Sequence, residues 1–286
     1  MRVAGIIFAR VGSSRFYGKV LYRLEGAPLL QRVIERICLV PGVDVLAGLA
    51  PDTPENEPVR GIFKANGMRC FPGKDHDLLG PLVAAGRELK ADIVLPMQTD
   101  HPFLWWQHTE PLIRRLEETG ADEAEWANPE WRWSIFNIAN YPRPYSMACL
   151  EKALRLCEGQ PPVWREHVNL ALVHKPQEFS FGFLPMPAEF FTRAGNYRLV
   201  VDYLEDMLVV EILYRELYRG KPIDTWEAIA YLDRHPEVAR MNASREQGPL
   251  SFKPDATKEW LSGSMLGQLG SVEYPERRWR RGVDGI

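Results

Sequence analysis

What most limits how this chain can fold is an alternation of short apolar runs with helical patterns. The runs at Val3 to Phe8, Val43 to Leu49, Met68 to Phe71 and Ile93 to Met97 have strand length. Between the first two, Leu29, Leu30, Val33, Ile34 and Ile37 recur at helical spacing after Pro28, which suits an opening turn. Pro54 and Pro58 delay the helix after the second run, and Asp77 to Glu88 and Thr109 to Glu118 read as further crossover helices. Strands joined by helices in this way imply an α/β fold with a largely parallel sheet.

Beyond about residue 122 the order changes. Strand pieces near Trp133 to Ile138, a helix near Met147 to Leu156, a segment from Val163 to His174 and a strand at Phe179 to Leu184 make an insertion-like half, over about 122–196, expected to be mixed or antiparallel. Regular order returns with Arg198 to Val201 as a strand and a long helix carrying Met207, Val210, Tyr214 and Leu217 on one stripe. A last helix, Thr225 to Leu232, ends at Pro236, so residues 1–243 read as one domain and 244–286 as an irregular tail. That tail is rich in Gly and closes on Arg277, Arg278, Trp279, Arg280 and Arg281; disorder is its default reading, and Trp260 and Trp279 argue for docking on the body or a partner.

With 286 residues, 45% of them hydrophobic, the chain can bury a sizeable core. A net charge of -3 gives no general attraction to nucleic acid or a bilayer, so any polyanion binding must be local. The N-terminus is strand-like rather than secretory, and no apolar run is long enough to span a membrane, so a cytoplasmic protein is expected. Cys38, Cys70, Cys149 and Cys157 lack ligand-type spacing and read as reduced structural thiols.

Local positive charge is found directly after the first run, in Ala9-Arg10-Val11-Gly12-Ser13-Ser14-Arg15-Phe16-Tyr17-Gly18-Lys19. Small residues and backbone amides there can surround phosphate oxygens, Arg10 and Arg15 can grip them in fork geometry, and Lys19 can act as a point charge. The pattern is not the dinucleotide glycine motif, and Val20 stands where a Walker loop has Ser or Thr. A solvated strand-to-helix connection is the plainer alternative.

Two carboxylates stand after strand-like runs, Asp100 in Gln98-Thr99-Asp100-His101-Pro102 and Asp202 in Leu199-Val200-Val201-Asp202. Their hard oxygens suit magnesium, and if the two strands are neighbours both carboxylates reach the same sheet edge. Asp202, with Glu205 three residues on, also reads as a helix cap, and Asp100 also reads as a turn residue before Pro102. His101 could ligate, although magnesium prefers oxygen. Asn137, Asn140, Tyr141, Arg143 and Tyr145 form a polar-aromatic stretch fit for an acceptor pocket or for a surface loop.

Several motifs in fixed order bring these features together. Ile7-x-Ala-Arg-x-Gly-Ser-x-Arg-x-x-Gly-Lys-Val-Leu21, Pro28-Leu-Leu, Val33-Ile-Glu-Arg36, Ala91-Asp-Ile-Val94, Asp100-x-Pro102, Arg165-Glu-His-Val168 and the stretch Asp202 to Asp206 resemble the SpsF-type cytidylyltransferases over roughly residues 3–242. Those are relatives of the synthetases that make the CMP forms of 3-deoxy-manno-octulosonic and acylneuraminic acids. The resemblance implies a Rossmann-like, three-layer nucleotide-diphosphosugar transferase fold, with a mixed, mostly parallel sheet and an inserted region through which such proteins often dimerise. It implies Mg2+-dependent transfer of CMP from CTP to a small acidic sugar or sugar-phosphate acceptor, with release of pyrophosphate, in cell-surface glycan or polysaccharide biosynthesis, by a homodimer with no nucleic-acid partner.

By the same resemblance Asp100 and Asp202 hold the metal and, with Lys19 and Arg10, are catalytic. Ala9, Arg10, Gly12, Ser13, Arg15, Lys19, Asp77 and Gln98 face the nucleotide, while Arg165, His167, Asn137 and Tyr145 face the acceptor. A glycosyltransferase of the same fold and a non-catalytic nucleotide-binding scaffold are the alternatives. The chain departs from the family at Phe16-Tyr17, where Leu-Pro is usual, at Gly80-Pro81, where Asp-Arg is usual, and at Thr99, where Gly is usual. Phe103-Leu104-Trp105 and Pro144-Tyr145-Ser146 also replace the usual residues around the acceptor side.

Overall fold

The first apolar run becomes an interior strand of the sheet, with all six of its residues buried. In β1 (Val3–Phe8), Val3 and Ile7 pack into one core layer and Ala4, Ile6 and Phe8 into the other, the period-two alternation of a strand covered on both faces. The computed structural model describes residues 1–127, 142–185 and 197–245. A short hairpin, β2 (Arg23–Leu24) with β3 (Ala27–Pro28), leads into α1 (Leu29–Ile37). β4 (Val45–Pro51) and β6 (Ile93–Gln98) pair in parallel on either side of β1, and β5 (Arg69–Gly73) pairs in parallel outside β4.

Beyond β6 the sheet becomes mixed. β8 (Tyr145–Ser146) runs antiparallel to both β6 and β7 (Glu123–Ala127), and β7 pairs in parallel with β9 (Phe181–Pro185), giving the order β5-β4-β1-β6-β8-β7-β9. Five helices share one core layer: α1, α2 (Glu57–Ala65), α4 (Glu110–Thr119), and two late helices that we label α7 (Leu204–Leu217) and α8 (Thr225–Arg234). The opposite layer holds α3 (Leu79–Glu88), α5 (Met147–Leu156) and α6 (Leu170–His174). The result is the expected three-layer α/β architecture with a mixed, mostly parallel sheet.

Strand β4 shows how closely the layers meet. A Cβ on Gly48 would lie 2.4 Å from ring atoms of Phe63 on α2, so the ring rests directly on the strand backbone.

The structure departs from the sequence expectations in three places. Glu123–Ala127 is a strand that was not expected, since its Glu-Ala-Glu pattern carries no β-branched residue. Arg198 to Val201, expected as a strand, makes no ladder among the described residues; Val201 instead donates its N–H to the Asp100 carbonyl at 2.8 Å. Pro236 ends α8 and also opens a short helix, α9 (Pro236–Ala239). The expected strand pieces at Trp133 to Ile138 and the tail beyond residue 245 lie outside the described residues.

Candidate active site

The chain runs from β1 outward to β4 and β5 on one side, then returns to β6 on the other, and a crevice opens at the carboxyl ends where that order reverses. It is a cavity of about 410 Å³ bordered by Phe8, Leu49, Gly73 and Gln98 from those four strands. Ala9, Arg10, Ser13, Arg15 and Lys19 line it from the basic loop, and Asp100, Glu166 and His167 line it from the far side.

The loop is closed on itself. The Val11 carbonyl accepts from the N–H of both Ser13 and Gly18 at 2.9 Å, and the Val11 N–H donates to Oδ1 of buried Asn56, also at 2.9 Å. Gly18 has φ of 73°, a left-handed conformation that glycine adopts without cost, and it turns the chain into a 3-10 turn, Lys19–Leu21. That reversal sends the Lys19 side chain inward, where it is 8% exposed.

Lys19 is the hub of the site. Its Nζ donates to the Val201 carbonyl at 2.6 Å and stands 3.3 Å from Asp100 Oδ2 and 3.6 Å from Asp202 Oδ1. Two carboxylates a hundred residues apart therefore meet at one ammonium, and the Val201 to Asp100 backbone bond supplies the approach that a ladder was expected to supply. A buried ammonium between two carboxylates offsets its desolvation by paired charge.

Asp202 is not the helix cap. Tyr203 takes that place at the start of α7, and Asp206, three residues on, reaches back to accept the N–H groups of Asp202 and Tyr203 at 2.9 Å each. Glu205, the other half of the expected box, pairs with Arg245. The Asp202 carboxylate is left for Arg15 at 2.5 Å, Lys19, and Arg198 at 3.0 Å.

Asp100 is half-buried, and its Oδ1 has no hydrogen-bond partner. Burial works against its charge, yet the charge of Lys19, nearby His101 and the Lys19 hydrogen bond bring its pKa below the ordinary value. His101, with Nε2 3.5 Å from Asp100 Oδ1, is also held below its usual pKa, by burial, and so favours its neutral form, which the adjacent carboxylates only partly oppose.

The remaining expected site residues divide into those at the cavity and those away from it. Arg10 reaches across to the loop after β5, donating to the Asp75 carbonyl at 2.5 Å. Gly12 belongs to the loop but does not border the cavity. Asp77 accepts the Gly80 N–H at 2.8 Å at the head of α3 and lies 3.5 Å from Arg165, so these two pair with each other beside the cavity, outside its lining. His167 borders it, and burial holds its pKa below the usual histidine value. Tyr145 is buried on β8 with its hydroxyl on Glu123, away from the cavity, and Asn137 lies outside the described residues.

Glu166, in the motif expected on the acceptor side, and Thr99, named as a departure from the family, both line the cavity; sequence reasoning gave no role to Lys74, Asp75 and His76 on the lining, nor a separate one to Arg198 and Asp206 behind Asp202. The Arg-x-x-x-Asp-x-x-x-Asp spacing of Arg198, Asp202 and Asp206 was the available signal for the last two. Among the described residues no cluster of three or more His, Cys, Asp or Glu side chains is fit to hold a metal, so any ion here would rest on the two carboxylates with further ligands from substrate or water. No helix among them is long and apolar enough to cross a membrane.

Comparison with known proteins adds a family, two relatives and two solved structures. A family model described as cytidylyltransferase matches residues 4–179. The spore coat polysaccharide biosynthesis protein SpsF of Bacillus subtilis is 25% identical, over 82% of this chain and 95% of its own length. A 3-deoxy-manno-octulosonate cytidylyltransferase of Anaeromyxobacter is 35% identical over a shorter stretch, 40% of this chain and 47% of its own. Among solved structures, a cytidylyltransferase from Leptospira borgpetersenii superposes with a TM-score of 0.74 at 22% identity, covering 86% of this chain and all of that one. A CMP:2-keto-3-deoxy-manno-octonic acid synthetase complexed with CTP gives 0.56 at 19% identity, over 76% of this chain and 99% of its own, a likeness of fold.

Proposed function

This chain belongs to the cytidylyltransferase family, and we propose that it transfers CMP from CTP to a small acidic sugar or sugar-phosphate acceptor, releasing pyrophosphate, in the making of a surface glycan or polysaccharide. The observation that carries this reading is the meeting of Lys19 with Asp100 and Asp202 at the mouth of a glycine loop. The names of the relatives, one acting in polysaccharide biosynthesis and one on a sugar acid, support the acceptor class.

An acceptor oxygen attacks the α-phosphorus, the bond from that phosphorus to its bridging oxygen breaks, and pyrophosphate leaves with the electron pair. Arg10, Arg15, Lys19 and the loop amides hold the phosphates and the charge that builds on the leaving group. His167, favoured in its neutral form, is the group on the acceptor side able to take the proton that the acceptor oxygen loses.

The donor set fits magnesium: Asp100 Oδ1 is a buried oxygen with no hydrogen-bond partner, and Asp202 Oδ1 points at the same ammonium as Asp100 Oδ2. Asp100 and Asp202 would hold the ion, whose chemistry would be to neutralise charge on the triphosphate.

The test is a matrix of the four nucleoside triphosphates against acidic sugars and sugar phosphates, with pyrophosphate as readout. Release with CTP and one acceptor class, lost in Asp100→Asn, is expected. Release from no pairing, or cleavage of a ready-made sugar nucleotide instead, sinks the assignment.

A further inference from the structure

Asp202 is held from behind by a buried relay of Arg198, Asp206 and Asn242, none of which lines the cavity. Arg198 is 6% exposed; its NH2 donates to Asp202 Oδ2 at 3.0 Å and to Asp206 Oδ2 at 3.1 Å, and its Nε donates to Asp206 Oδ1 at 2.7 Å. Asp206, fully buried, accepts in addition from the Asp202 and Tyr203 backbone and from Asn242 Nδ2 at 3.0 Å. Asn242, itself buried, also donates to the Arg198 carbonyl at 2.9 Å. All four side chains lie beyond the residues that the family model matches.

This division of labour decides which oxygen of Asp202 is available. Oδ2 is turned inward and used by Arg198, while Oδ1 faces Lys19 and Arg15 at the cavity. A planar guanidinium bound to both oxygens of Asp206 cannot rotate without losing a pair of charge-assisted bonds, so it presents its remaining N–H in one direction. A lysine there would lack that fork. An aspartate on an irregular segment, with no sheet ladder to fix it, needs such an anchor if it is to serve the phosphates or an ion.

We propose that Arg198, seated on Asp206 and Asn242, is a positioning residue that sets the rotamer of Asp202 so that Oδ1 points toward Lys19 and Arg15, the side from which the nucleotide and its cation would be met. The inference rests on the reading of Asp202 as a site residue given above, and the test separates the two. Arg198→Met, Arg198→Lys, Asp202→Asn and the double variants are compared by Mn2+ binding in the presence of a non-hydrolysable CTP analogue, followed by the magnetic resonance signal of free Mn2+, and by kcat and KM with CTP.

Loss of an outer partner of this kind costs about 10- to 100-fold in ion affinity or turnover. Arg198→Met is expected to lose that much Mn2+ affinity and kcat with the acceptor KM unchanged, and Arg198→Lys to lose less. In the Asp202→Asn background, Arg198→Met adds nothing if it acts through Asp202. Additive losses, or full Mn2+ affinity in Arg198→Met alongside its loss in Asp202→Asn, overturn the positioning role while leaving the site reading intact. Full Mn2+ affinity and turnover in Asp202→Asn itself overturns the site reading first. If Arg198→Met does not fold, Arg198→Lys decides by the same cycle.

Discussion

At the scale of single residues, the site turns on Lys19, and its partners make its role measurable. Arg10, Arg15 and Lys19 line the same cavity, and on the proposed function they share the triphosphate, so Lys19→Ala is expected to weaken CTP binding far more than CMP binding by calorimetry. Equal losses for the two would place Lys19 outside the triphosphate site. His167 gives a second expectation. Because burial lowers its pKa below the ordinary 6.5, it is neutral and able to accept a proton down to more acidic pH than a free histidine. The acid limb of kcat/KM should therefore fall below pH 6.5, and it should vanish in His167→Gln; an unmoved limb in that variant removes the histidine from proton transfer. The loop side of the site was legible in the sequence, because Arg10, Arg15, Gly18 and Lys19 are neighbours along the chain. Asp202 was harder to read. Its spacing to Glu205 imitates a cap, and only the fold shows that Tyr203 and Asp206 form the capping box and that Asp202, buried just behind the cavity lining, is engaged instead by Arg198, Arg15 and Lys19.

At the scale of elements, the parallel half was readable and the mixed half less so, for a physical reason. β1, β4 and β6 are buried on both sides and so appear as unbroken apolar runs, whereas β7 buries Glu123 and Glu125 beside Arg143 and hides its strand character behind charge. Tyr145 suffers the same disguise: a polar-aromatic neighbourhood suggests a pocket, yet the ring is in the core and the hydroxyl serves Glu123. The contact between β4 and α2 was also invisible, since nothing in the sequence ties Gly48 to Phe63. It predicts that Gly48→Ala, by driving a methyl into the Phe63 ring, destabilises the fold by about 1–3 kcal/mol, the range for an overfilled core. Phe63→Leu, which costs stability alone, should recover part of that loss when combined with Gly48→Ala. Chemical denaturation of the four proteins measures the coupling, and strict additivity would mean the strand shifts to make room.

At the scale of the whole molecule, the nucleotide half and the mixed half respond to pH in different windows. Glu123 and Glu125 are buried on one face of β7, with the Arg143 guanidinium 3.4 Å and 3.3 Å away as a shared cation. The Glu123 carboxyl is pushed up to about 8, chiefly by burial, with Arg143 pulling it down and Glu125 and Asp122 adding to the rise. Its hydrogen-bond partner Tyr145 is itself raised by burial. The unfolded chain releases the Glu123 proton near 4.5, so below that pH both states hold it and the stabilisation is complete. Between about 4.5 and about 8 the unfolded state binds fewer protons than the folded one, and stability from this group falls as pH rises. Glu123→Gln keeps the neutral form at every pH, so its denaturation midpoint should decline less over that interval than the parent's, and the gap should close toward acid. Parallel curves would show that Arg143 holds Glu123 ionised throughout. Because His167 limits the proposed reaction from the acid side and Glu123 erodes the fold from the alkaline side, the parent should keep activity longest near neutrality. The Gln variant should extend that range upward in pH without moving its acid limb, since Glu123 lies outside the cavity that His167 borders.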